Sequence, residues 1–404
     1  MSPGELRRRR APLIALALVA LFAGLWGGLI RLGLLVAPAV GAAGAEHGPL
    51  MALGFLGALV SLERAVALGR AWAYAAPLAA AVGSLLTLAS TPTALGPAMV
   101  GFGGAVLLAG HLAIQRRQAS AHNVVMGFGA LAWVAACADW VISGDPGRAT
   151  PLLAGFLVLT VVGERLELTR AANRSARVRA ALLVAIAVFC VGLGVSLAAE
   201  RLGVRIAGVG LLGQALWLAR YDIARRTVRT SGLTRYMAAA LLTGYAWLLC
   251  AGVLWTVAAA VADGPAYDAS LHAVFLGFVM SMVFAHAPVI VPAVLRVQLP
   301  YSRGFYAQLA LLHLALALRL IGGDLFGSRA LWRWGGIGNE AAILLFLLAT
   351  AAAVGAAVRR WALPRARDPR LREPRPHEPR HARAATPPPA SVELLPDPTR
   401  RRRA

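Results

Sequence analysis

The sequence predicts an all-α membrane protein, a polytopic bundle of about twelve transmembrane helices. Hydrophobic residues make up 59% of the 404 residues and charged residues only 14%, whereas soluble globular chains carry roughly 25% charged residues. The apolar residues also form long blocks, and a block of about 18 or more predicts a membrane span. This pattern assigns residues 1–362 to one transmembrane domain and leaves no room for a sizeable soluble domain.

The first apolar block follows Arg10 and continues to Val36. It is too long for the apolar core of a signal peptide, so we interpret it as span 1. The other spans are predicted at 47–69, 71–91, 95–114, 122–142, 149–168, 180–198, 204–221, 234–261, 270–295, 304–321 and 334–360. Residues 363–404 are rich in arginine and proline and poor in apolar residues, which predicts a disordered tail.

The basic residues are all arginines, and the net charge is +22. Such a charge is typical of nucleic-acid-binding proteins, but most of the arginines fall in alternate loops, as the positive-inside rule requires. We therefore expect no nucleic-acid partner and predict that both termini lie in the cytoplasm. The arginine-rich loops and the tail are expected to contact anionic lipid headgroups of the bilayer. The sequence does not indicate an oligomeric state.

Spans 2, 6 and 10 share a pattern that indicates an internal repeat. In each, a Gly-Phe pair is followed, nine residues after the glycine, by an ionisable residue. The pairs are Gly54 and Glu63, Gly155 and Glu164, and Gly277 and His286. The three spans are four apart in the order of the chain. This interval predicts a 4+4+4 architecture with a pseudo-threefold axis, in which the ionisable groups meet at a functional centre. Alternatively, Gly-Phe is a chance pairing in apolar helices, and the glutamates pair with neighbours at the interface.

Histidines and methionines form a second pattern. Three histidines inside or at the ends of spans have a methionine one helical turn away, on the same helix face. The pairs are His47 with Met51, His122 with Met126, and His286 with Met282. Imidazole and thioether together suit copper and haem iron. The alternative for each pair taken alone is ordinary core packing.

Further polar residues lie in the last two spans. His313 is in the middle of span 11, and Arg319 of the same span is predicted to pair with Glu340 in span 12 or with Asp324. The chain has no Walker loop, no Rossmann glycine fingerprint and no covalent haem-attachment motif. These absences give no support for an enzyme.

Three segments resemble the NnrS family. They are His47-Gly-Pro-Leu-Met51 with the following Glu63, His272-Ala-Val-Phe-Leu-Gly-Phe with His286-Ala-Pro-Val-Ile-Val-Pro, and the stretch from Leu311 to Arg319. NnrS proteins are bacterial twelve-span membrane proteins described as binding haem and copper and associated with nitric oxide stress. The resemblance implies a haem or copper cofactor, a role in nitrosative stress, and a place in the bacterial cytoplasmic membrane.

The twelve-span plan also resembles the main subunit of haem–copper oxidases, in which histidines of helices 2 and 10 hold a haem in the outer half of the membrane. The resemblance implies that His47 and His272 are outer cofactor ligands. His286, with His122 and Met282, would form a second, inner site. Spans 6 and 7 contain no histidine, so a three-histidine copper centre cannot form. We therefore expect a sensor, scavenger or carrier rather than an oxygen reductase.

Two other functions remain open at this point. Buried Glu, His and Arg residues in twelve spans are also typical of a secondary transporter or a proton-coupled membrane protein. In a non-catalytic membrane scaffold, the same residues would serve only to hold helices together.

Overall fold

A computed structural model describes residues 3–34, 43–89, 94–171, 175–259, 263–295 and 299–362. Within these residues the chain forms twelve long helices. They are α1 Pro3–Arg31, α2 His47–Leu68, α3 Ala71–Leu88, α4 Leu95–Arg117, α5 Ala121–Ser143, α6 Thr150–Ala171, α7 Ala176–Ser196, α8 Glu200–Tyr221, α9 Gly232–Val257, α10 Pro265–Val294, α11 Phe305–Leu325 and α12 Arg329–Ala362. The predicted tail, residues 363–404, lies outside the described residues.

Several helices begin earlier than hydropathy predicts. For example, α10 begins at Pro265 although the apolar block begins at 270. Gly264 has a φ of +88°, which lets the chain turn there, and proline at the first helical position lacks only an N–H that the helix would leave unpaired. Similarly, α12 begins at Arg329 rather than 334. Backbone hydrogen bonding thus continues through polar residues that hydropathy assigns to loops.

Eleven of the twelve helices are long and apolar enough to cross a membrane. The remaining helix, α6, has Glu164, Arg165 and Glu167 near its end. Residues 152–160 of α6 are buried throughout, because α5, α7 and the helices α2 and α10 pack around it. A helix enclosed by protein tolerates charges that a lipid-facing helix does not. The chain is therefore an all-α integral membrane protein with α6 in its interior.

Large apolar side chains cover the outside of the bundle. Among the most exposed are Ile142, Val257 and Leu314, all in or next to helices that could span a membrane. A soluble monomer rarely exposes so much apolar surface. These side chains face the lipid bilayer, whose hydrocarbon is the solvent for such a surface.

From α1 to α11, helices that are consecutive in the sequence pack as neighbours, and α6 contacts both α2 and α10. Close approaches at Gly323 and Gly335 place α12 against α11. The three helices of the predicted repeat are thus in mutual contact, since α2 also packs against α10. The pseudo-threefold axis itself stays a prediction, but its main requirement, that spans 2, 6 and 10 lie together, is met.

Helices α7 and α8 approach closely at glycines, and this contact yields a prediction. A Cβ at Gly192 would collide with the backbone N of Ala207, whereas a Cβ at Gly194, two residues on, would meet nothing within 4 Å. We expect Gly192→Ala to lower the free energy of unfolding by about 1–3 kcal/mol, because the backbones must move apart. Gly194→Ala should leave it unchanged or raise it by up to about 1 kcal/mol. Unfolding in detergent measures both, and equal effects would contradict the close contact.

Candidate functional site

One cavity of about 170 Å³ lies between helices α1, α2, α6, α10, α11 and α12. We call it the His47 cavity, and its polar lining includes His47, His272, Arg319 and Glu340. Most of the remaining wall is apolar, with side chains such as Leu153 and Ile343. An apolar cavity with a few convergent polar groups is typical of a ligand site. The two histidines that the sequence predicts as outer ligands thus line the same cavity.

His47 is the first residue of α2, and its ring orientation is fixed by α1. The Nδ1 atom lies 2.6 Å from the backbone oxygen of Gly24. A carbonyl oxygen can only accept a hydrogen bond, so Nδ1 carries the proton and donates it. The neutral ring therefore has its lone pair on Nε2. This is the nitrogen that remains available for a ligand in the cavity.

His272 has the same tautomer for the same reason. Its Nδ1 lies 2.8 Å from the backbone oxygen of Asp268, one turn earlier in α10, and 3.3 Å from the Asp268 carboxylate. That carboxylate accepts two hydrogen bonds from Arg319, at 2.8 and 2.7 Å. It also accepts one from Trp332 Nε1 at 3.1 Å. Metal-binding histidines commonly donate their second ring N–H to a carbonyl or a carboxylate that is itself held in place.

Arg319 therefore pairs with Asp268, and not with Glu340 or Asp324 as predicted. Its guanidinium also lies 5.0 Å from the centre of the Trp332 ring, a cation–π contact. Asp268 is absent from the predicted site residues, because hydropathy places it in a loop. Its spacing of four residues from His272 would have identified it, once α10 is known to begin at Pro265.

Three π-helical turns border the His47 cavity. They are Leu50–Gly57 in α2, Ala273–Met280 in α10 and Leu318–Leu325 in α11. Each contributes a side chain to the cavity wall: Met51, Met280 and Arg319 respectively. A π-helical turn changes the direction in which later side chains point, and such turns occur frequently at functional sites. All three π-helical segments thus contribute to the lining of the same cavity, which makes it the candidate site.

Two thioethers and two further charged residues complete the cavity. Met51, predicted as a metal ligand, lines the cavity, and so does Met280, which was not among the predicted ligands. Arg31 also lines the cavity. Glu340 and His47 both lie against Gly28 of α1. A Cβ added to this glycine would collide with the Glu340 carboxyl group and would lie 3.2 Å from His47 Cε1. Beside the cavity, burial raises the pKa of Glu46 to about 7, so its carboxyl is part-protonated near neutral pH.

A second group of polar residues lies nearer the other ends of α2 and α10. This Arg64 cluster consists of Glu63, Arg64, Glu164, Arg165 and His286. Arg64 donates to Glu164 at 2.8 Å, and Arg165 donates to His286 Nε2 at 2.7 Å. The ionisable residues of the three repeat-related helices thus meet inside the bundle.

The residues predicted for an inner metal site are not brought together in this way. His286 accepts from Arg165 at Nε2, and its Nδ1 donates to the backbone oxygen of Met282 at 2.7 Å, so neither ring nitrogen is left for a metal. His122 lies 3.8 Å from Glu167. Met126 packs against Gly163, and the Met282 side chain packs against Gly244. Within the described part of the chain, no group of three or more His, Cys, Asp and Glu residues could hold a metal ion.

His313 has the opposite tautomer to His47 and His272. Trp247 Nε1 donates to His313 Nδ1 at 2.9 Å, so the proton of the neutral His313 ring is on Nε2. This nitrogen therefore has no lone pair for a metal. His313 lies on α11 but does not line the His47 cavity. Its role is a contact between α9 and α11.

Comparison with known proteins gives one family. The model of a family described as "Domain of unknown function (DUF8744)" matches residues 10–355. This range includes every residue of the His47 cavity and of the Arg64 cluster. No curated protein and no solved structure matches the chain.

Proposed function

We propose that this chain, which belongs to the DUF8744 family, is an integral membrane protein that holds a metal centre between His47 and His272. The proposal rests on one observation, which is that the two imidazoles have the same tautomer and line the same cavity. Both line one cavity, and both donate from Nδ1 to a backbone carbonyl, which leaves Nε2 free. His286 makes the same backbone bond, but its Nε2 accepts from Arg165. Among the described residues, no hydrogen bond to Nε2 of His47 or His272 is found, so both nitrogens can bind a ligand.

A copper ion fits the donor set best. Two imidazole nitrogens and the thioethers of Met51 and Met280 are ligand types that copper(I) prefers. Glu340 adds a carboxyl group to the cavity lining. The cavity volume of about 170 Å³ takes an ion together with a small ligand. We propose that the bound ligand is small, in keeping with a sensor, scavenger or carrier, and the resemblance to NnrS proteins suggests nitric oxide.

Haem is the second candidate, and two observations favour it. The cavity walls are largely apolar, and Arg31 would suit a carboxylate of a haem. Histidines of α2 and α10 also match the haem ligands of the oxidase-like plan. Against this, the cavity volume of about 170 Å³ is below the roughly 300–1,000 Å³ of most small-molecule pockets. Haem would enter only if side chains at the cavity mouth moved.

Metal content and the visible spectrum of the purified protein test the proposal. We expect full-length protein from cells supplied with copper and a haem precursor to carry one of the two in a near-stoichiometric amount. Removal of the metal by a chelator should lower the unfolding temperature, because a ligand bound only by the folded state stabilises that state. A preparation with neither copper nor haem, and with no change on adding them, would contradict the proposal.

We also propose that the protein lies in the bacterial cytoplasmic membrane with both termini in the cytoplasm. The alternation of arginine-rich and arginine-poor loops supports this orientation. The same arginines would contact anionic headgroups. A membrane-impermeant thiol reagent should then label a cysteine introduced in the loop at Arg226 only from the cytoplasmic side, and labelling from the other side would reverse the orientation.

A further inference from the structure

The His47 cavity has its mouth at one end of the bundle. The lining residues that are exposed are Arg31, Ala45 and Gly48, and they lie where α1 ends and α2 begins. Gly147, in the loop before α6, and Tyr267, near the start of α10, also line the cavity and are half-buried. The cavity is therefore reached from the end of the bundle at which α2, α6 and α10 begin.

The floor of the cavity is at the level of the repeated Gly-Phe pairs. The deepest lining residues of α2 and α10 are Leu56 and Met280, which are 7% and 2% exposed. They lie within two residues of Phe55 and Phe278, the phenylalanines of the first and third pairs. The Gly-Phe pairs thus mark the depth at which the cavity ends.

Buried aromatic side chains fill this level of the bundle. The three phenylalanines of the repeat, Phe55, Phe156 and Phe278, are at most 3% exposed. Trp133 of α5 is fully buried, its ring centre is 4.9 Å from that of Phe156, and a Cβ added to Gly57 of α2 would collide with its ring. We call these four side chains the aromatic layer. Rings packed this closely exclude water and ions.

The aromatic layer separates the His47 cavity from the Arg64 cluster. In each repeat the phenylalanine precedes the ionisable residue of that cluster by eight residues, which is about 12 Å along a helix. The cavity lining includes none of Glu63, Arg64, Glu164, Arg165 and His286. The cavity is thus a recess that is open at one end, and not a channel through the bundle.

We infer that the His47 cavity exchanges its metal and small ligand only with the outer side of the membrane, opposite the cytoplasm, through the mouth at Ala45 and Gly48. With both termini in the cytoplasm, α2 begins on that side. The inference rests on the proposed metal centre for what is exchanged, and on the cavity and the aromatic layer for the route. A protein that moved the metal across the membrane would have to open the aromatic layer, so the route suits a sensor or scavenger of species outside the cytoplasm.

Two cysteine variants on α2 test the route without any bound metal. Both are made in the full-length chain with Cys137, Cys190 and Cys250 replaced by alanine, and a charged methanethiosulfonate is applied to either side of membrane vesicles. We expect the thiol of Leu56→Cys to react at least about tenfold faster from the outer side, because a buried thiol reacts only where the reagent reaches it. Leu62→Cys replaces a leucine that is 1% exposed and lies beyond the aromatic layer, and it should not react from the outer side.

A bulky side chain at the mouth provides a matched pair of further variants. A Cβ added to Gly48 or to Gly194 of α7 would meet nothing within 4 Å, so both positions accept a larger side chain. Combined with Leu56→Cys, Gly48→Trp should slow labelling from the outer side at least about fivefold, and Gly194→Trp should leave it unchanged. Equal effects of the two tryptophans, labelling of Leu56→Cys at similar rates from both sides, or labelling from neither side would overturn the inference.

Copper removal from wild-type vesicles tests the exchange of the metal itself. Bathocuproine disulfonate binds copper(I) and does not cross membranes, and a cysteine introduced at Arg226 identifies the cytoplasmic side. We expect this chelator to remove copper from the outer side only. Removal from the cytoplasmic side would overturn the inference and leave the metal centre in place. One-sided labelling of Leu56→Cys in a protein that binds no metal would overturn the proposed function and leave the route in place.

Discussion

Replacement of Asp268 by alanine is expected to lower the free energy of unfolding by about 3 kcal/mol. Asp268 is the bidentate partner of Arg319, whose side chain is only 10% exposed, and removing one partner of a buried ion pair typically costs about 3–5 kcal/mol. We place the effect at the lower end, because Asp324 remains an electrostatic neighbour of Arg319. Chemical unfolding in detergent measures the loss.

Two comparison variants make this prediction specific. Asp263→Ala removes an exposed carboxylate five residues earlier and should change the free energy by less than about 0.5 kcal/mol. Asp268→Ala combined with Arg319→Leu removes both charges and should recover much of the loss, as double-mutant cycles of coupled pairs show. A double variant as unstable as the sum of its two singles would mean that the pair is not coupled.

Replacement of either His47 or His272 by alanine is expected to reduce the affinity for the metal by at least about 100-fold. Loss of a residue that only orients a metal ligand costs about 10–100-fold, and loss of the ligand itself should cost more. Asp268→Asn should reduce the metal affinity by about 10–100-fold only, because it weakens the orientation of His272 and leaves its Nε2 in place. Equilibrium titration with copper or haem measures each variant.

His313→Ala is the matched control for these variants. Its ring also lies in the bundle, but its Nδ1 accepts a hydrogen bond from Trp247, so it should not bind the metal. The variant should retain the wild-type affinity. Met51→Leu distinguishes copper from haem as the bound group. Loss of a thioether should weaken copper binding and leave haem binding unchanged. If His313→Ala lost metal as fully as His47→Ala, the assigned site would be wrong.

Much of the fold follows from hydropathy and charge. Each of the twelve predicted spans corresponds to a helix in the described residues, because long apolar blocks have few alternatives to a membrane helix. The helix ends differ, as at Pro265 of α10 and Arg329 of α12, because apolar content stops at the interface while backbone hydrogen bonding continues. The central position of α6 also required the structure, since burial by neighbouring helices cannot be read from α6 alone.

The site was predictable only in part. Spacing correctly indicated that ionisable residues of spans 2, 6 and 10 would meet, and His47 and His272 line one cavity. The pairing partners were not predictable, because Asp268 and Arg165 become neighbours of His272 and His286 through packing and helix length. No sequence pattern predicted the π-helical segments, although residues of all three line the cavity.

The structure separates two chemistries that the sequence placed together. The His47 cavity contains imidazole nitrogens and thioethers, which suit a metal, whereas the Arg64 cluster contains ionisable groups that link helices to one another. A scaffold, whose polar residues only hold helices together, would need the second feature alone.

The ligand atoms of the bound metal test the central claim most directly. Oxidation of the purified full-length protein converts any bound copper(I) to copper(II). Pulsed electron paramagnetic resonance then detects the nitrogens of imidazoles coordinated to copper(II) or to low-spin ferric haem iron. We expect two coordinated imidazoles in the wild type, and one fewer in His47→Ala and in His272→Ala. A metal without imidazole nitrogens, or a spectrum that neither substitution changes, would contradict the account.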